Sequence, residues 1–158
     1  MGELYIRGIG VNQDYAKARQ LIEGMTSKGF LPALLNLGFM KLRGIGYTKD
    51  GNMAKTIFEY LVSRCDPKAM VALGEMYVRG EVVRRNNREA FKLFNKAIKN
   101  DGDPNAYYYV GLMYSNGIGK KRDLDLGKQY LKMAWVEAQR KNLTLSTALE
   151  DVLGKPPK

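Results

Sequence analysis

The chain has 158 residues, of which 45% are hydrophobic, so it is long enough and apolar enough to bury the core of one domain. It contains no histidine and a single cysteine, Cys65, which excludes Ser-His-Asp and Cys-His nucleophilic arrangements and a thiolate zinc site. Lysine and arginine outnumber aspartate and glutamate by 26 to 16, and the formal net charge of +10 favours acidic partners.

The predicted elements repeat along the chain at a spacing of 36 or 37 residues. In chain order they form four helix-turn-helix units, a capping helix and a tail: residues 1–32, 33–68, 69–105 and 106–142, then 143–154 and 155–158. Counting back one period from Ala33 places the matching alanine before Met1. We therefore expect the first unit to be truncated and the chain to be a fragment or a processed form.

The first helix of each unit carries glycine at two registers. Inside the helix, glycine costs about 1 kcal/mol relative to alanine, so Gly38, Gly74 and Gly111 predict a close approach of a neighbouring helix. A second register, six residues later, predicts left-handed helix ends at Gly8, Gly44, Gly80 and Gly117.

The second helix of each unit has apolar residues at i, i+3, i+4 and i+7, which is one face of an α-helix. In the third unit these residues are Ala90, Leu93, Phe94 and Ala97. A polar side chain near the start of each second helix suits an N-cap: Asp14, Asp50, Asn86 and Asp123. Each hairpin then has an apolar face that a neighbouring hairpin must cover.

The pattern A-x3-L-G-x2-Y-x2-G, followed by a loop and an aspartate, resembles the Sel-1-like repeat, a relative of the tetratricopeptide repeat. In the third unit it reads Ala69, Leu73, Gly74, Tyr77 and Gly80. The departures are local: Met40 stands for the tyrosine, Val82 for a further loop glycine and Gly127 for the alanine of a second helix. The resemblance implies an all-α, right-handed α-solenoid that forms a single domain over residues 1–158 and works as an adaptor, scaffold or inhibitor, generally without catalysis.

The residues indicate no catalytic centre and no cofactor. The Gly-x-Gly loops lack the strand and the third glycine of a phosphate-binding loop, and Cys65 is expected to be a buried or bystander thiol. No run of about 18 apolar residues would span a membrane. A lone cysteine favours a reducing, cytoplasmic location, while a periplasmic or other exported location also fits if a leader has been removed.

In tetratricopeptide-type stacks the first helices line a concave groove, and the resemblance implies that their non-core positions bind a partner. Carried over by register, these positions are Arg7, Leu35, Phe39, Leu42, Arg43, Val71, Glu75, Val78, Arg79, Tyr108, Leu112 and Asn116. Arginine recurs once per unit at three of them, which predicts a row of guanidinium groups beside an apolar floor. Alternatively, each arginine interacts with the C-terminal carbonyls of its own helix.

Positive charge is also concentrated in two loops that the repeat places side by side. This basic ridge consists of Arg84, Arg85, Arg88, Lys120, Lys121 and Arg122. Such a ridge attracts nucleic acid in a salt-dependent way. A solvated loop edge that keeps the protein soluble and a surface for an acidic protein are the alternatives.

The sequence thus predicts a non-enzymatic interaction module that holds a peptide or helix of a partner protein, with acidic groups, in its concave groove. Two other functions fit the same features. One is an inhibitor or immunity protein that occludes a toxin or an enzyme. The other is a nucleic-acid-associated factor that uses the basic ridge.

Overall fold

The computed structural model describes residues 14–141, and this part of the chain contains seven α-helices and no strand. The helices are α1 (Tyr15–Ser27), α2 (Leu31–Arg43), α3 (Gly51–Ser63), α4 (Pro67–Arg79), α5 (Asn87–Asp101), α6 (Pro104–Asn116) and α7 (Leu124–Arg140). The predicted all-α class of helix-turn-helix repeats is confirmed. The short first helix with Arg7, and the predicted capping helix over 143–154, lie outside the described residues.

The helices group into two compact units, Met1–Arg64 and Cys65–Lys158. In the first unit, α2 packs against α1 and α3. In the second unit, α5 packs against α4 and α6, and α6 packs against α7. Within each unit, successive helices along the chain are therefore neighbours in space, as hairpin repeats require. The single domain over the whole chain stays a prediction.

The second helices begin at the polar residues that the sequence predicts. Asp50 accepts a hydrogen bond from the backbone N–H of Met53 at 2.9 Å, and Asn86 accepts one from that of Glu89 at 3.1 Å. Asp14 and Asp123 accept the corresponding bonds at the starts of α1 and α7. Each cap satisfies one of the N–H groups that the first turn of a helix leaves without a partner.

Two of the first helices begin with an Asp-Pro pair. Asp66 accepts a hydrogen bond from the N–H of Ala69 at 2.8 Å, and Asp103 caps α6 in the same way. The proline that follows has no N–H, and its fixed φ suits the first helical position. These pairs stand at the boundaries between the predicted repeats, and in the structure each starts a helix.

The first helices that the structure describes, α2, α4 and α6, end at glycines in the left-handed conformation, whereas the predicted helix end at Gly8 lies outside the described residues. Gly80 has a φ of 69°, and its N–H donates to the carbonyl of Met76 at 2.9 Å. Gly44 and Gly117 end α2 and α6 with φ values of 72° and 68°. A side chain at this backbone conformation is disfavoured, which explains the glycine register at helix ends.

The other glycine register marks a close contact between the two helices of the three hairpins that the structure describes in full. A Cβ at Gly74 of α4 would lie 2.5 Å from Cε1 of the buried Phe94 on α5. The same relation holds for Gly38 and Phe58, and for Gly111 and Leu131. The predicted close approach is confirmed, because a large side chain of the second helix fills the place of the missing Cβ.

Candidate functional site

The first helices of the second unit, α4 and α6, meet at Glu75 and Tyr109. The Tyr109 ring stacks on Phe94 of α5, with 4.8 Å between ring centroids. Burial raises the pKa of the Tyr109 hydroxyl, the negative charge of Glu75 and a hydrogen bond with it raise that pKa further, and Arg79 lowers it. Glu75 is one of the predicted groove residues, and its carboxylate is therefore hydrogen-bonded to Tyr109 of α6.

Around this contact, α4 and α6 offer a mixed apolar and basic surface. Val78, Tyr108 and Leu112 are half-buried, and Arg79 is exposed. The Tyr108 ring lies edge-on to Tyr109, with 5.6 Å between centroids. Partly covered apolar side chains next to one exposed guanidinium group can contact both an apolar and an acidic group of a ligand. We call this area the α4–α6 surface.

In the first unit, the predicted groove residues of α2 form a smaller cluster. Phe39 is half-buried, and its ring lies 5.1 Å from that of Phe58 on α3. The Arg43 guanidinium carbon lies 5.6 Å from the centroid of the Phe39 ring, one helical turn away on the same helix. This distance permits a cation–π interaction, which holds Arg43 near its own helix and leaves it exposed to solvent.

Besides Glu75, three predicted groove positions are not free surface positions. Leu35 and Val71 are buried, with 7% and 6% of their surface exposed, so neither presents a side chain to a partner. In α4 every residue from Ala69 to Gly74 is buried, so this stretch of the helix has no open face. Asn116 is exposed, but its amide donates to the carbonyl of Leu112 at 3.0 Å.

The basic ridge is exposed at all six of its residues. Its two loops are neighbours, because a Cβ at Gly119 would lie 2.8 Å from the Cβ of Asn87 at the start of α5. Arg122 donates from Nε to the carbonyl of Ser115 at 3.0 Å, which holds one ridge side chain against the end of α6. The side-by-side placement of the loops agrees with the sequence prediction.

Other kinds of site receive no support in the part of the chain that the structure describes. Between residues 14 and 141, no group of three or more cysteine, aspartate or glutamate side chains is arranged to hold a metal ion. None of the seven helices is long and apolar enough to cross a bilayer. Cys65 is exposed rather than buried, at a φ of 63° in the turn that follows α3.

A family model for the Sel1 repeat matches residues 1–23, 31–59, 67–102 and 104–134 of the chain. The chain belongs to the Sel1 repeat family. The four matched segments correspond to the four predicted units, and the Sel1 repeat fold is a type of scaffold for protein–protein interaction.

Two solved structures show the same fold. A Sel1 repeat protein from Oxalobacter formigenes is 27% identical, with a TM-score of 0.79 over 97% of this chain and 59% of that chain. A protective antigen present in uropathogenic Escherichia coli strains, which displays an SLR fold, is 24% identical, with a TM-score of 0.73 over 86% of this chain and 29% of that chain. The Sel1 chain thus spans less than two thirds of either protein. A search of curated proteins found no match.

Within this Sel1 repeat chain, the repeat register missed Tyr109, which connects α4 and α6. The register assigned the preceding residue, Tyr108, to the groove because it occupies the same place in its unit as Leu35 and Val71. The available signal was the run from Tyr107 to Tyr109, since three adjacent aromatic residues on one helix must point to different neighbours.

Proposed function

We propose that this Sel1 repeat chain is an adaptor that binds a segment of a partner protein through its first helices, and that the segment carries acidic groups. The observation that carries the proposal is the α4–α6 surface, where Arg79 is exposed and lies close enough to lower the pKa of the half-buried Tyr109. Tyr108 and Leu112 are half-buried on α6 of the same surface. A partner would therefore find apolar contacts and a cation together.

The chemistry of this surface favours a peptide or helix over a small molecule. When a partner covers half-buried apolar side chains, the complex is stabilised by about 25 cal/mol per Å² of apolar area buried. The guanidinium group of Arg79 can pair with a carboxylate in bidentate geometry, which adds specificity. An amphipathic segment with apolar anchors and a nearby glutamate or aspartate has both features.

The test uses capture of binding proteins by the immobilised chain, with crosslinking from a photoreactive residue placed at Leu112. We expect an acidic segment of a partner to crosslink to the wild type, and Arg79→Glu to reduce its recovery about tenfold. Lys132→Glu on α7 is the control, because it reverses the charge of another exposed lysine or arginine of the same unit. Equal recovery with Arg79→Glu and Lys132→Glu would show that the α4–α6 surface is not the binding site.

Nucleic-acid association is the second candidate, and the exposure of the whole basic ridge favours it. Contacts with phosphates release counterions, so such binding weakens steeply as salt rises. Replacement of Arg84, Arg85, Lys120 and Lys121 by glutamine should lower the salt concentration at which the chain elutes from heparin and from immobilised single-stranded DNA. If the replacements lower the elution salt concentration from heparin but not from DNA, the ridge binds anions in general and is not a nucleic-acid site.

A further inference from the structure

An open depression of about 370 Å³ lies on α5 in the second unit, away from the residues assigned to the α4–α6 surface. Its lining residues are Phe91, Lys92, Asn95, Lys96, Lys99 and Lys120. Five of them belong to α5, and Lys120 comes from the loop between α6 and α7. In the described part of the chain, this lining contains four lysines and no carboxylate.

The lysines of α5 form a stripe. Lys92, Lys96 and Lys99 stand at i, i+4 and i+7, which places them along one side of the helix over about 10 Å. All three are exposed. Lys92 pairs with Glu89 at 3.2 Å, but 73% of the lysine side chain is accessible, so solvent screens this pair.

Phe91 forms the apolar part of the depression and is fixed from two sides. Its ring meets Tyr114 of α6 edge-on, with 5.6 Å between centroids. The Nζ atom of Lys120 lies over the ring, 4.4 Å from its centroid. The half-buried ring and the methylene stems of the lysines thus offer apolar contact beneath a layer of ammonium groups.

We propose that this depression is a second docking site, which takes an acidic peptide segment with one apolar anchor. Carboxylates of the segment pair with Lys96, Lys99 and Lys120, while the anchor contacts the rim of Phe91 and the lysine stems. The charge of the lining carries the choice of occupant, because Lys96, Lys99 and Lys120 add three positive charges beside the Lys92–Glu89 pair and so complement an anionic chain. The proposal concerns α5 and Lys120 and does not depend on the α4–α6 surface.

Other occupants fit the depression less well. A second copy of a chain with a net charge of +10 would be repelled. A single phosphate group is bound best by an arginine fork or by backbone N–H groups at a helix N-terminus, and the lining offers separate, flexible point charges instead. A nucleic-acid base would need the ring face of Phe91 for stacking, and the ammonium group of Lys120 already occupies it.

The test measures fluorescence anisotropy of a labelled peptide in which four glutamates surround one leucine. The variant Lys96→Glu with Lys99→Glu is compared with Lys128→Glu with Lys132→Glu, which reverses two exposed lysines on α7 and gives the same net charge. We expect the α5 variant to bind about tenfold more weakly than the α7 variant, which corresponds to about 1.4 kcal/mol. Replacing the leucine of the probe by serine should weaken binding to the wild type several-fold, because the apolar contact is lost.

Equal loss in the two double variants would overturn the proposal, since it would show that only the overall charge attracts the peptide. A second arm uses an oligodeoxythymidylate of the same charge. Tighter binding of this oligonucleotide than of the peptide, lost in the α5 variant, would also overturn the proposal.

Arg79→Glu tests whether the two sites are independent. Unchanged affinity for the peptide supports a separate site, even if capture through the α4–α6 surface fails. Circular dichroism confirms that each variant is folded.

Discussion

Gly74 of α4 lies directly against the ring of Phe94 of α5, at a distance that leaves no room for a Cβ. The added atom would stand 2.5, 2.9 and 3.0 Å from three ring carbons, all closer than normal van der Waals contact. Phe94 is fully buried, and Tyr109 of α6 stacks on its ring. This one glycine therefore sets how closely the third hairpin closes and also positions the aromatic ring under the α4–α6 surface.

Gly74→Ala should lower the free energy of unfolding by up to about 2 kcal/mol, measured by urea denaturation. Alanine is favoured over glycine in a helix by about 1 kcal/mol, but overpacking a tight core contact costs about 1–3 kcal/mol and outweighs this gain. Gly24→Ala in α1 is the matched control, because no atom beyond the neighbouring residues and backbone of its own helix lies within 4 Å of a Cβ there. It should raise the stability by up to about 1 kcal/mol. Stabilisation by both substitutions would contradict the close packing of Gly74.

The repeat makes the backbone of this chain predictable. A left-handed end at Gly80 and a cap at Asn86 depend on local chemistry that recurs at the same spacing in neighbouring units, so each copy supports the others. Burial is less predictable, because it depends on how many neighbours surround a helix. Val71 has the register of a surface residue, yet α4 is enclosed on all sides at that point.

The α5 depression could not be predicted from the repeat register for a related reason. Lys92, Lys96 and Lys99 are recognisable in the sequence as one side of a helix, and such a stripe is normally solvated. This stripe differs from an ordinary solvated one because Lys120 lies next to it. Lys120 comes 21 residues after Lys99, and the turn after α6 brings it over the Phe91 ring. A contact of this kind requires the fold as well as the pattern.

Asp103→Ala should destabilise the chain by about 2 kcal/mol in urea denaturation. Asp103 is 5% exposed and accepts hydrogen bonds from the N–H groups of Asn105 and Ala106, at 2.8 and 3.1 Å. Alanine would leave both donors without this acceptor, and the N–H group of Ala106 lies in a buried place. Asp103→Asn keeps an accepting oxygen and should cost less than half as much. Asp123 is an exposed cap that accepts one hydrogen bond, at 2.9 Å. Asp123→Ala should therefore cost about 1 kcal/mol or less. A larger loss at Asp123 than at Asp103 would refute the burial argument.

Lys141→Met should lower the stability by about 0.5–1 kcal/mol, because Lys141 ties the end of α7 to the end of α5. Its Nζ atom donates to the Asp101 carboxylate at 2.7 Å and to the Asp101 backbone carbonyl at 2.6 Å. In about 1 M salt the ionic part is screened, so the effect should shrink but not vanish, since the carbonyl bond remains. Lys128→Met on the exposed side of α7 is the control and should change little. An effect of Lys141→Met that is independent of salt would show that the ion pair contributes nothing.

Tyr109 should make the stability of the chain fall in alkaline solution. Burial first, and then Glu75, raise its pKa in the folded chain, while an unfolded tyrosine titrates near pH 10. Above about pH 10 the unfolded state loses this proton and the folded state keeps it, so unfolding is favoured as pH rises. The stability that the protonated Tyr109 hydroxyl contributes is fully present below about pH 10. It is lost as the pH rises from there to the raised pKa of the folded state. Tyr47, whose pKa is raised by burial and by its hydrogen bond to Glu23, acts in the same direction.

Tyr109→Phe should therefore flatten the decline of unfolding free energy between about pH 9.5 and 11.5, measured by urea denaturation at each pH. At neutral pH the same variant should be less stable by about 1 kcal/mol, because the hydrogen bond with Glu75 is lost. The two curves should converge as pH rises, since phenylalanine has no proton to lose. Tyr60→Phe, at a side chain that is 50% exposed on α3, controls for the removal of one hydroxyl. If the Tyr109→Phe curve runs parallel to that of the wild type above pH 10, the Tyr109 hydroxyl is not held in its protonated form by the contact between α4 and α6.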